Sequence, residues 1–367
     1  MDTKKTERSA GGLEGVVVAD TRLSEVDGER GRLILAGYDI ENLTGKVSFE
    51  DVVALLDRGK LPDEAAREAV RAAIAEGRVR AFGKLASLGD ALARPDGMDA
   101  LRASLGHLSV ADGFGEPARL IGAMAVYAAA WARTRRGLSP IAPDASLRHA
   151  ADYLRMIGGE PADEARAAAL DAYLATVADH GMNASTFAAR VVISTGSDAV
   201  SAVVAALGAL KGPLHGGAPG PVLDMLDAIG APDRAEPWIA QELAEGRRIM
   251  GMGHRIYRVR DPRAAVLEKA TLRLEEAGVR TGRLDLARAV ERAALGVLGR
   301  KYPDRPLQAN VEFYTAVLLD AVGLDRASFT PTFAVGRVAG WCAHLAEQRE
   351  TGRLIRPASR YVGPMPS

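Results

Sequence analysis

Apolar residues with helical spacing recur along most of the chain, and this pattern restricts the fold more than any other feature. In residues 48–57 the apolar side chains fall on one face of a helix. The same spacing continues in residues 165–177, 199–210, 222–229, 238–243 and 284–298. Because no strand pattern alternates with these segments, a doubly wound sheet is disfavoured. The sequence therefore predicts an all-α, mainly helical fold.

The N-terminal region is the exception to this pattern. Residues 1–12 are polar and are predicted to be disordered, and they contain no apolar run typical of a secretory signal. Residues 15–40 contain two aliphatic runs around Asp27-Gly28, a pattern that favours a short β-hairpin. We therefore expect one hairpin ahead of the helices.

Two later segments carry clear helix signals. Asp261 precedes Pro262, which is the arrangement of a capping residue before proline at the first helical position. Beyond Pro331, residues 332–350 are predicted to form one long helix. Its Gly336 and Gly340 stand four residues apart, which allows close packing against another helix.

Length and composition limit the class of protein. With 367 residues, the chain is expected to form one large domain and a smaller one. Lys+Arg and Asp+Glu are equal at 47 each, which argues against a nucleic-acid or membrane-surface partner. The single Cys342 excludes an internal disulfide and a Cys-rich zinc site. Residues 120–132, the longest apolar stretch, are too few to span a bilayer, so a cytoplasmic protein is expected.

Two of the six histidines lie in glycine-framed segments. His215 lies in GPLHGG, where a ligand can approach the backbone and a neutral imidazole can donate to a carbonyl oxygen that gains charge. His254 lies in MGMGHR and is followed by Arg255, Arg258 and Arg263. Nearby cations disfavour a protonated imidazole, and arginine forks suit a small polycarboxylate. Taken alone, these segments are also compatible with a structural loop and a solvated basic patch.

A third histidine and a carboxylate complete the candidate set. His180 lies in ADHGMNAS after Asp179, which is expected to fix its tautomer, although a buried core histidine is the alternative. Glu312 lies in ANVEFY, at a predicted helix start among apolar residues. It is either paired with an arginine or functional, and in the second case burial raises its pKa and strengthens it as a base. No metal site is predicted, because no HExxH or comparable ligand spacing occurs.

Six motifs, in order between about Gly12 and Gly363, resemble those of the citrate synthase family. They are ADHGMNAS, KGPLHGGA, MGMGHRIYRVRDPRA, NVEFYTAVLLDAVG, FTPTFAVGRVAGWCAHLAEQ and RPASRYVGP. The resemblance implies a helical homodimer with a large domain at residues 13–218 and 319–367. It also implies a small domain at residues 219–318 that closes over the substrate. The implied reaction joins acetyl-CoA and oxaloacetate, with no cofactor other than the coenzyme A thioester that serves as substrate.

The resemblance also implies a role for each site residue. It implies catalytic roles for His215 at the thioester oxygen, His254 at the oxaloacetate carbonyl and Glu312 as the base. It implies ligands of the oxaloacetate carboxylates at His180, Arg263, Arg337 and, from the partner subunit, Arg356. It implies contacts with coenzyme A at Gly251, Gly253 and Arg258.

The motifs depart from the family pattern at three places. Glu312 stands where the family usually carries Asp, and the added methylene displaces the carboxylate on an unchanged backbone, which can cost about 100-fold in rate. GGAPGP at 216–221 replaces the usual GGANEA, and Val177 stands where some members have a second histidine. We interpret these differences as those of a divergent, active branch. The alternatives are a 2-methylcitrate synthase that uses propionyl-CoA and a non-catalytic paralogue that binds acyl-CoA or dicarboxylates.

Overall fold

The computed structural model describes residues 11–13, 15–215, 219–279, 282–305 and 307–366. Its three short strands are β1 (Ser24–Asp27), β2 (Arg32–Leu35) and β3 (Tyr38–Asp39). Its helices are α1 (Ile40–Leu43), α2 (Phe49–Arg58), α3 (Glu64–Gly83), α4 (Gly97–Leu105), α5 (Pro117–Thr134), α6 (His149–Gly158), α7 (Glu164–Val177), α8 (Ala184–Ser194), α9 (Ala199–Leu210), α10 (Gly220–Ile229), α11 (Ala235–Ala244), α12 (Pro262–Glu276), α13 (Arg283–Lys301), α14 (Val311–Ala321) and α15 (Phe329–Thr351). The predicted all-α class is confirmed.

The expected N-terminal hairpin is confirmed. Strands β1 and β2 pair antiparallel, with Ser24 opposite Leu35 and Asp27 opposite Arg32, and β3 adds a third short strand. The predicted disorder of residues 1–10 lies outside the described residues, whereas Gly11–Leu13 form a single 3-10 turn. In the replaced segment 216–221, residues 216–218 are likewise outside the described residues, and helix α10 begins at Gly220.

Helix α5 forms the centre of the core. It is buried without interruption from Leu120 to Ala132, because it packs against α3, α4, α6 and α15. A helix that is apolar all round is a core helix when other helices cover it. Gly122 permits the contact with α3, since a Cβ there would lie 2.4 Å from the Ile74 carbonyl oxygen. Within the described ranges, no helix is long and apolar enough to cross a membrane.

The long C-terminal helix α15 packs against the segment that leads into the candidate site. It begins at Phe329, three residues before the predicted start, because Pro331 fits in a first turn, where no backbone donor is required. The predicted close packing is confirmed. A Cβ on Gly340 would lie 2.2 Å from the Ala178 carbonyl oxygen, and one on Gly336 would lie 2.6 Å from the Val177 side chain. Helix α15 therefore lies directly against the end of α7 and the segment that follows it.

A buried pair of carboxylates joins α2 to α7. Asp171, only 7% exposed, accepts the Phe49 backbone N–H at 3.1 Å, and neighbouring Glu50 accepts the His149 N–H at 2.8 Å. Burial, and then the charge of Glu50, raises the pKa of Asp171 to about 7. The folded chain thus holds a proton on Asp171 that the unfolded chain releases near its ordinary pKa of 3.8.

We expect Asp171→Asn to stabilise the protein more at pH 8 than at pH 5. Between the two pKa values, the unfolded state loses the Asp171 proton while the folded state keeps it, so wild-type stability falls as pH rises and levels off above about 7. Asparagine keeps a carbonyl acceptor for Phe49 and removes this penalty. Thermal unfolding at both pH values measures the effect. The matched control is Asp57→Asn, at a side chain that is 61% exposed. An equal gain in Tm at pH 5 and pH 8 would contradict the expectation.

Candidate active site

The backbone fixes the orientation of the His254 ring. Its Nδ1 accepts the N–H groups of Ile256 and Tyr257, each at 3.1 Å. Because a backbone nitrogen only donates, the proton of the neutral ring is on Nε2, which remains available as a donor. Burial, and then the charge of Arg263, lowers the pKa of His254 to about 4. The predicted neutral imidazole is confirmed, although burial contributes more than the arginines.

His180 lies next to His254, and Tyr257 contacts both rings. The two histidine rings are 5.8 Å apart between centroids, and the Tyr257 ring lies 4.8 Å from that of His254. The Tyr257 hydroxyl is 3.1 Å from Nε2 of His180. The expectation that Asp179 fixes the His180 tautomer is wrong, because the Asp179 carboxylate bonds to other groups. Burial, and then Arg263 and Arg337, holds the pKa of His180 well below its usual value.

Two buried arginines supply the positive charge of the site. Arg263 donates from Nε and Nη2 to Asp261 at 3.0 and 2.7 Å, so its charge is largely compensated. Arg337, on α15, donates from Nε to the Val177 carbonyl at 2.6 Å, and its guanidinium lies 4.8 Å from the centre of the Phe333 ring. Burial lowers the pKa of Arg337 to about 10, so it is charged at pH 7. A charged arginine bonded to a carbonyl leaves an excess of positive charge for an anionic ligand.

A serine and a tryptophan hold His215. Its Nε2 accepts the Ser185 backbone N–H at 3.2 Å, and the Ser185 hydroxyl lies 2.7 Å from the same atom. The proton of the neutral ring is therefore on Nδ1. The Ser185 hydroxyl also accepts the indole N–H of Trp341, at 3.0 Å, from α15. Burial, and then Arg337, lowers the pKa of His215 to about 4, so this imidazole is also neutral at pH 7.

Glu312 lies in the first turn of α14. It shares with His215, Thr315 and Phe333 the lining of a small cavity of about 30 Å³. Burial raises the pKa of Glu312, and the charge of Arg263 opposes this rise. The expected rise in pKa is confirmed, and the carboxylate and the neutral imidazole of His215 face the same small space.

The loop around His254 is bonded to the segment that precedes Glu312. Asn310 donates its backbone N–H to the Gly251 carbonyl and its side-chain amide to the Gly253 carbonyl, both at 2.9 Å. The Asn310 side chain also accepts the Glu312 N–H at 3.0 Å. Gly251 and Gly253 have φ angles of 73° and 90°, which favour glycine. Through these bonds the two glycines fix His254 relative to Glu312. The predicted contact of the glycines with coenzyme A stays a prediction.

Two predicted residues lie outside this cluster. Arg258 has an exposed side chain, and its backbone N–H bonds to the Gly28 carbonyl in the hairpin. Arg356 is exposed in the C-terminal tail, where it lines an open groove of about 850 Å³ with Arg22 and Arg190. Neither the Arg258 contact with coenzyme A nor the Arg356 contact with a partner subunit is tested by one chain.

Three helices begin at the site, and their N-termini favour a negatively charged ligand. Helices α8, α12 and α14 start after the capping residues Asn183, Asp261 and Asn310, whose side chains accept first-turn N–H groups. The aligned peptide dipoles place partial positive charge at these ends. Across the described ranges, no group of three or more His, Cys, Asp or Glu side chains is arranged to hold a metal ion.

The fold and the site together define a helical protein in which three histidines with lowered pKa values lie with a buried carboxylate and two buried arginines. The chain belongs to the citrate synthase family, whose model, described as the citrate synthase C-terminal domain, matches residues 12–358.

Related sequences and a solved structure are similar to this protein over nearly its whole length. Citrate synthase of Haloferax volcanii is 39% identical over 96% of this chain and 95% of its own length. The 2-methylcitrate synthase of Mycobacterium tuberculosis is 39% identical over 96% of this chain and 90% of its own. A solved ternary complex of carboxymethyl coenzyme A and oxaloacetate with citrate synthase from Thermoplasma acidophilum has a TM-score of 0.85 and 29% identity. It covers 99% of this chain and 98% of that chain.

Proposed function

We propose that the protein condenses acetyl-CoA with oxaloacetate and hydrolyses the resulting citryl-CoA to citrate and coenzyme A. One observation carries this proposal: Glu312 and the neutral His215 line one small cavity, and the site also holds the neutral His254. A base, an enolate-stabilising donor and a donor for the second carbonyl are therefore present together.

The first step is removal of a proton from the thioester methyl group. This carbon acid is so weak that a carboxylate alone removes the proton slowly, and the enolate oxygen must be stabilised as it forms. Glu312 accepts the proton, because burial raises its pKa and makes it a stronger base. His215 donates from Nδ1 to the oxygen, since its Nε2 is occupied as an acceptor of the Ser185 N–H. His215 acts in the neutral state that it holds at pH 7, because its pKa is about 4.

The second step is attack of the enolate carbon on the oxaloacetate ketone. Arg263, Arg337 and His180 hold the two carboxylates of oxaloacetate, consistent with the positive charge buried there. His254 gives its Nε2 proton to the ketone oxygen as the carbon–carbon bond forms, because its Nδ1 already accepts two N–H groups. Water then hydrolyses the thioester of citryl-CoA: the proton that the water loses restores Nε2 of His254, and the proton held by Glu312 leaves with the thiol of coenzyme A. The chemistry requires no metal or redox cofactor.

The assembly belongs to the same proposal. The protein acts as a cytoplasmic homodimer in which Arg356 of each chain reaches the site of its partner. The dimer is supported by the exposed apolar side chains in the same C-terminal tail as Arg356, which are Leu354, Tyr361, Val362 and Met365. The small domain, residues 219–318, closes on a large domain formed by residues 13–218 and 319–367. Gly251, Gly253 and Arg258 then contact coenzyme A, and closure excludes water from the enolate.

Acetyl-CoA is the proposed acyl donor, and propionyl-CoA is the alternative. A 2-methylcitrate synthase among the relatives favours the alternative. The citrate synthases among the relatives, such as that of Haloferax volcanii, favour acetyl-CoA. A pocket that discriminates by one carbon contributes about 1–3 kcal/mol, or roughly 10- to 200-fold in kcat/KM.

Rates of coenzyme A release with acetyl-CoA and propionyl-CoA, measured side by side with oxaloacetate, test the proposal. We expect kcat/KM to be higher with acetyl-CoA by at least about tenfold. A preference for propionyl-CoA would assign the chain as a 2-methylcitrate synthase. If neither thioester turned over while both ligands raised the Tm, the non-catalytic paralogue would be the correct assignment.

A further inference from the structure

Helix α15 contacts three consecutive residues at the end of α7 through three of its own residues. Arg337 donates to the Val177 carbonyl at 2.6 Å, and the Gly340 N–H donates to the Ala178 carbonyl at 3.0 Å. One turn further on, Nε2 of His344 lies 3.2 Å from the Asp179 carboxylate. The first of these contacts holds a proposed oxaloacetate ligand. The third joins His344, on the same face of the helix, to Asp179, and the proposed mechanism uses neither residue.

A buried arginine orients the His344 ring from the side opposite Asp179. Its Nδ1 accepts from Nε and Nη2 of Arg190, at 3.0 and 2.8 Å. Since a guanidinium only donates, Nδ1 carries no proton, and the ring donates from Nε2 to Asp179. Arg190 is fixed in turn by Glu347 and by Gln348, which accepts at 2.9 Å. Both His344 and Asp179 are fully buried, so this set of bonds has a single defined direction.

Asp179 connects His344 to the residues that bind the substrate. Its Oδ2 accepts the Gly181 N–H at 3.1 Å, which closes a tight turn with His180 at the centre. The Ser24 hydroxyl donates to the same oxygen at 2.5 Å from strand β1. The negative charge of Asp179 also favours the charged form of Arg337. The position of this one carboxylate therefore affects both His180 and Arg337.

We propose that His344 is a positioning residue for oxaloacetate binding. It fixes the Asp179 carboxylate, and through Asp179 it sets the turn that carries His180 and compensates part of the Arg337 charge. Arg190 keeps His344 in the tautomer that this task requires. This assignment deepens the proposed function and rests on it for the identity of the ligand, whereas the network of bonds is a property of the described residues.

Two substitutions of His344 separate positioning from simple packing. His344→Asn keeps an acceptor near Nδ1 for Arg190 but lacks a donor that reaches Asp179. His344→Gln places an amide N–H near the former Nε2. We expect His344→Asn to raise KM for oxaloacetate, and the Kd measured by calorimetry, on the order of tenfold, with kcat and the KM for acetyl-CoA changed less than about twofold. His344→Gln should restore most of the oxaloacetate affinity.

The matched control is His149→Asn. His149 is as buried as His344 and also faces an arginine, with its Nδ1 3.3 Å from Arg78, but it is the first residue of α6 and its ring stacks on Phe49 of α2. This variant should lose Tm without a change in oxaloacetate affinity. Equal affinity in wild type and His344→Asn, or an equal loss in His344→Asn and His344→Gln, would overturn the assignment.

A milder variant covers the case in which His344→Asn does not fold. Ser24→Ala removes the other side-chain donor to Asp179 from a half-buried position, and it should weaken oxaloacetate binding several-fold with kcat unchanged. An unchanged Kd in Ser24→Ala would contradict the role of Asp179. Calorimetry with oxaloacetate alone requires no turnover, so a wild-type protein that binds oxaloacetate but releases no coenzyme A would refute the proposed reaction and still test this inference.

Discussion

Glu312→Gln is expected to lower kcat about 10³-fold, with KM for oxaloacetate close to that of the wild type. Glutamine has the same length as glutamate but does not accept a proton from carbon. The cap that Asn310 provides to the residue 312 backbone remains, so the start of α14 keeps its position. The proposed oxaloacetate ligands lie on other elements, and their affinity should therefore persist. Steady-state rates and oxaloacetate calorimetry on the same preparation measure the two effects.

The pH dependence of the wild type gives a second readout for this variant. Burial raises the pKa of Glu312, so kcat/KM should fall as pH decreases through a value above the ordinary 4.5 of glutamate. His215 and His254 have pKa values of about 4, so both imidazoles are neutral between pH 6 and 8 and add no titration there. The residual activity of Glu312→Gln should lack the acid limb that Glu312 causes.

The control for this substitution is Glu291→Gln. Glu291 is another buried glutamate, bonded to Arg260 at 2.7 Å and to the Tyr314 hydroxyl at 2.6 Å, and it has no place in the proposed mechanism. We expect a loss of Tm with kcat nearly unchanged. If Glu312→Gln also kept its kcat, the base would have to be another group, and the central claim of the proposed mechanism would be wrong.

Local signals in the sequence predicted the elements that depend on neighbouring residues. The cap formed by Asp261 and Pro262, the hairpin around Asp27 and the close packing at Gly340 each follow from a few adjacent residues. The start of α15 was predicted too late because proline was interpreted as a boundary. In the structure Pro331 lies in the first turn of the helix, where its missing N–H has no consequence.

The residues that orient the histidines were not predicted, because most of their contacts join distant parts of the chain. Trp341 reaches Ser185 across 156 positions, and His344 reaches Asp179 across 165. Nothing in the local pattern around Trp341 or His344 distinguishes them from other buried residues of a helix. Tyr257 is different, since it follows His254 by three residues, and an aromatic residue so close to a candidate histidine was a usable signal.

The length of the residue 312 side chain is the feature by which this chain departs most clearly from the family pattern. We expect Glu312→Asp to lower kcat on the order of 100-fold, because the shorter side chain withdraws the carboxylate by more than about one ångström from its present position. Acetyl-CoA turnover by the aspartate variant, with Glu312→Gln as the lower limit, measures the effect. KM for oxaloacetate should stay near the wild-type value in both variants.

The expected loss of rate follows from the fixed position of the backbone at the start of α14. A shift of α14 that compensated for a shorter side chain would break the bonds from Asn310 to the Gly251 and Gly253 carbonyls. It would also move Phe313, whose Cβ lies 2.9 Å from where a Cβ on Gly251 would be. With the start of α14 held in this way, side-chain length alone sets how far the carboxylate reaches into the cavity that it shares with His215. An aspartate variant as fast as the wild type, or faster, would show that Glu312 is longer than the reaction needs, and would favour a chain that has moved away from efficient catalysis.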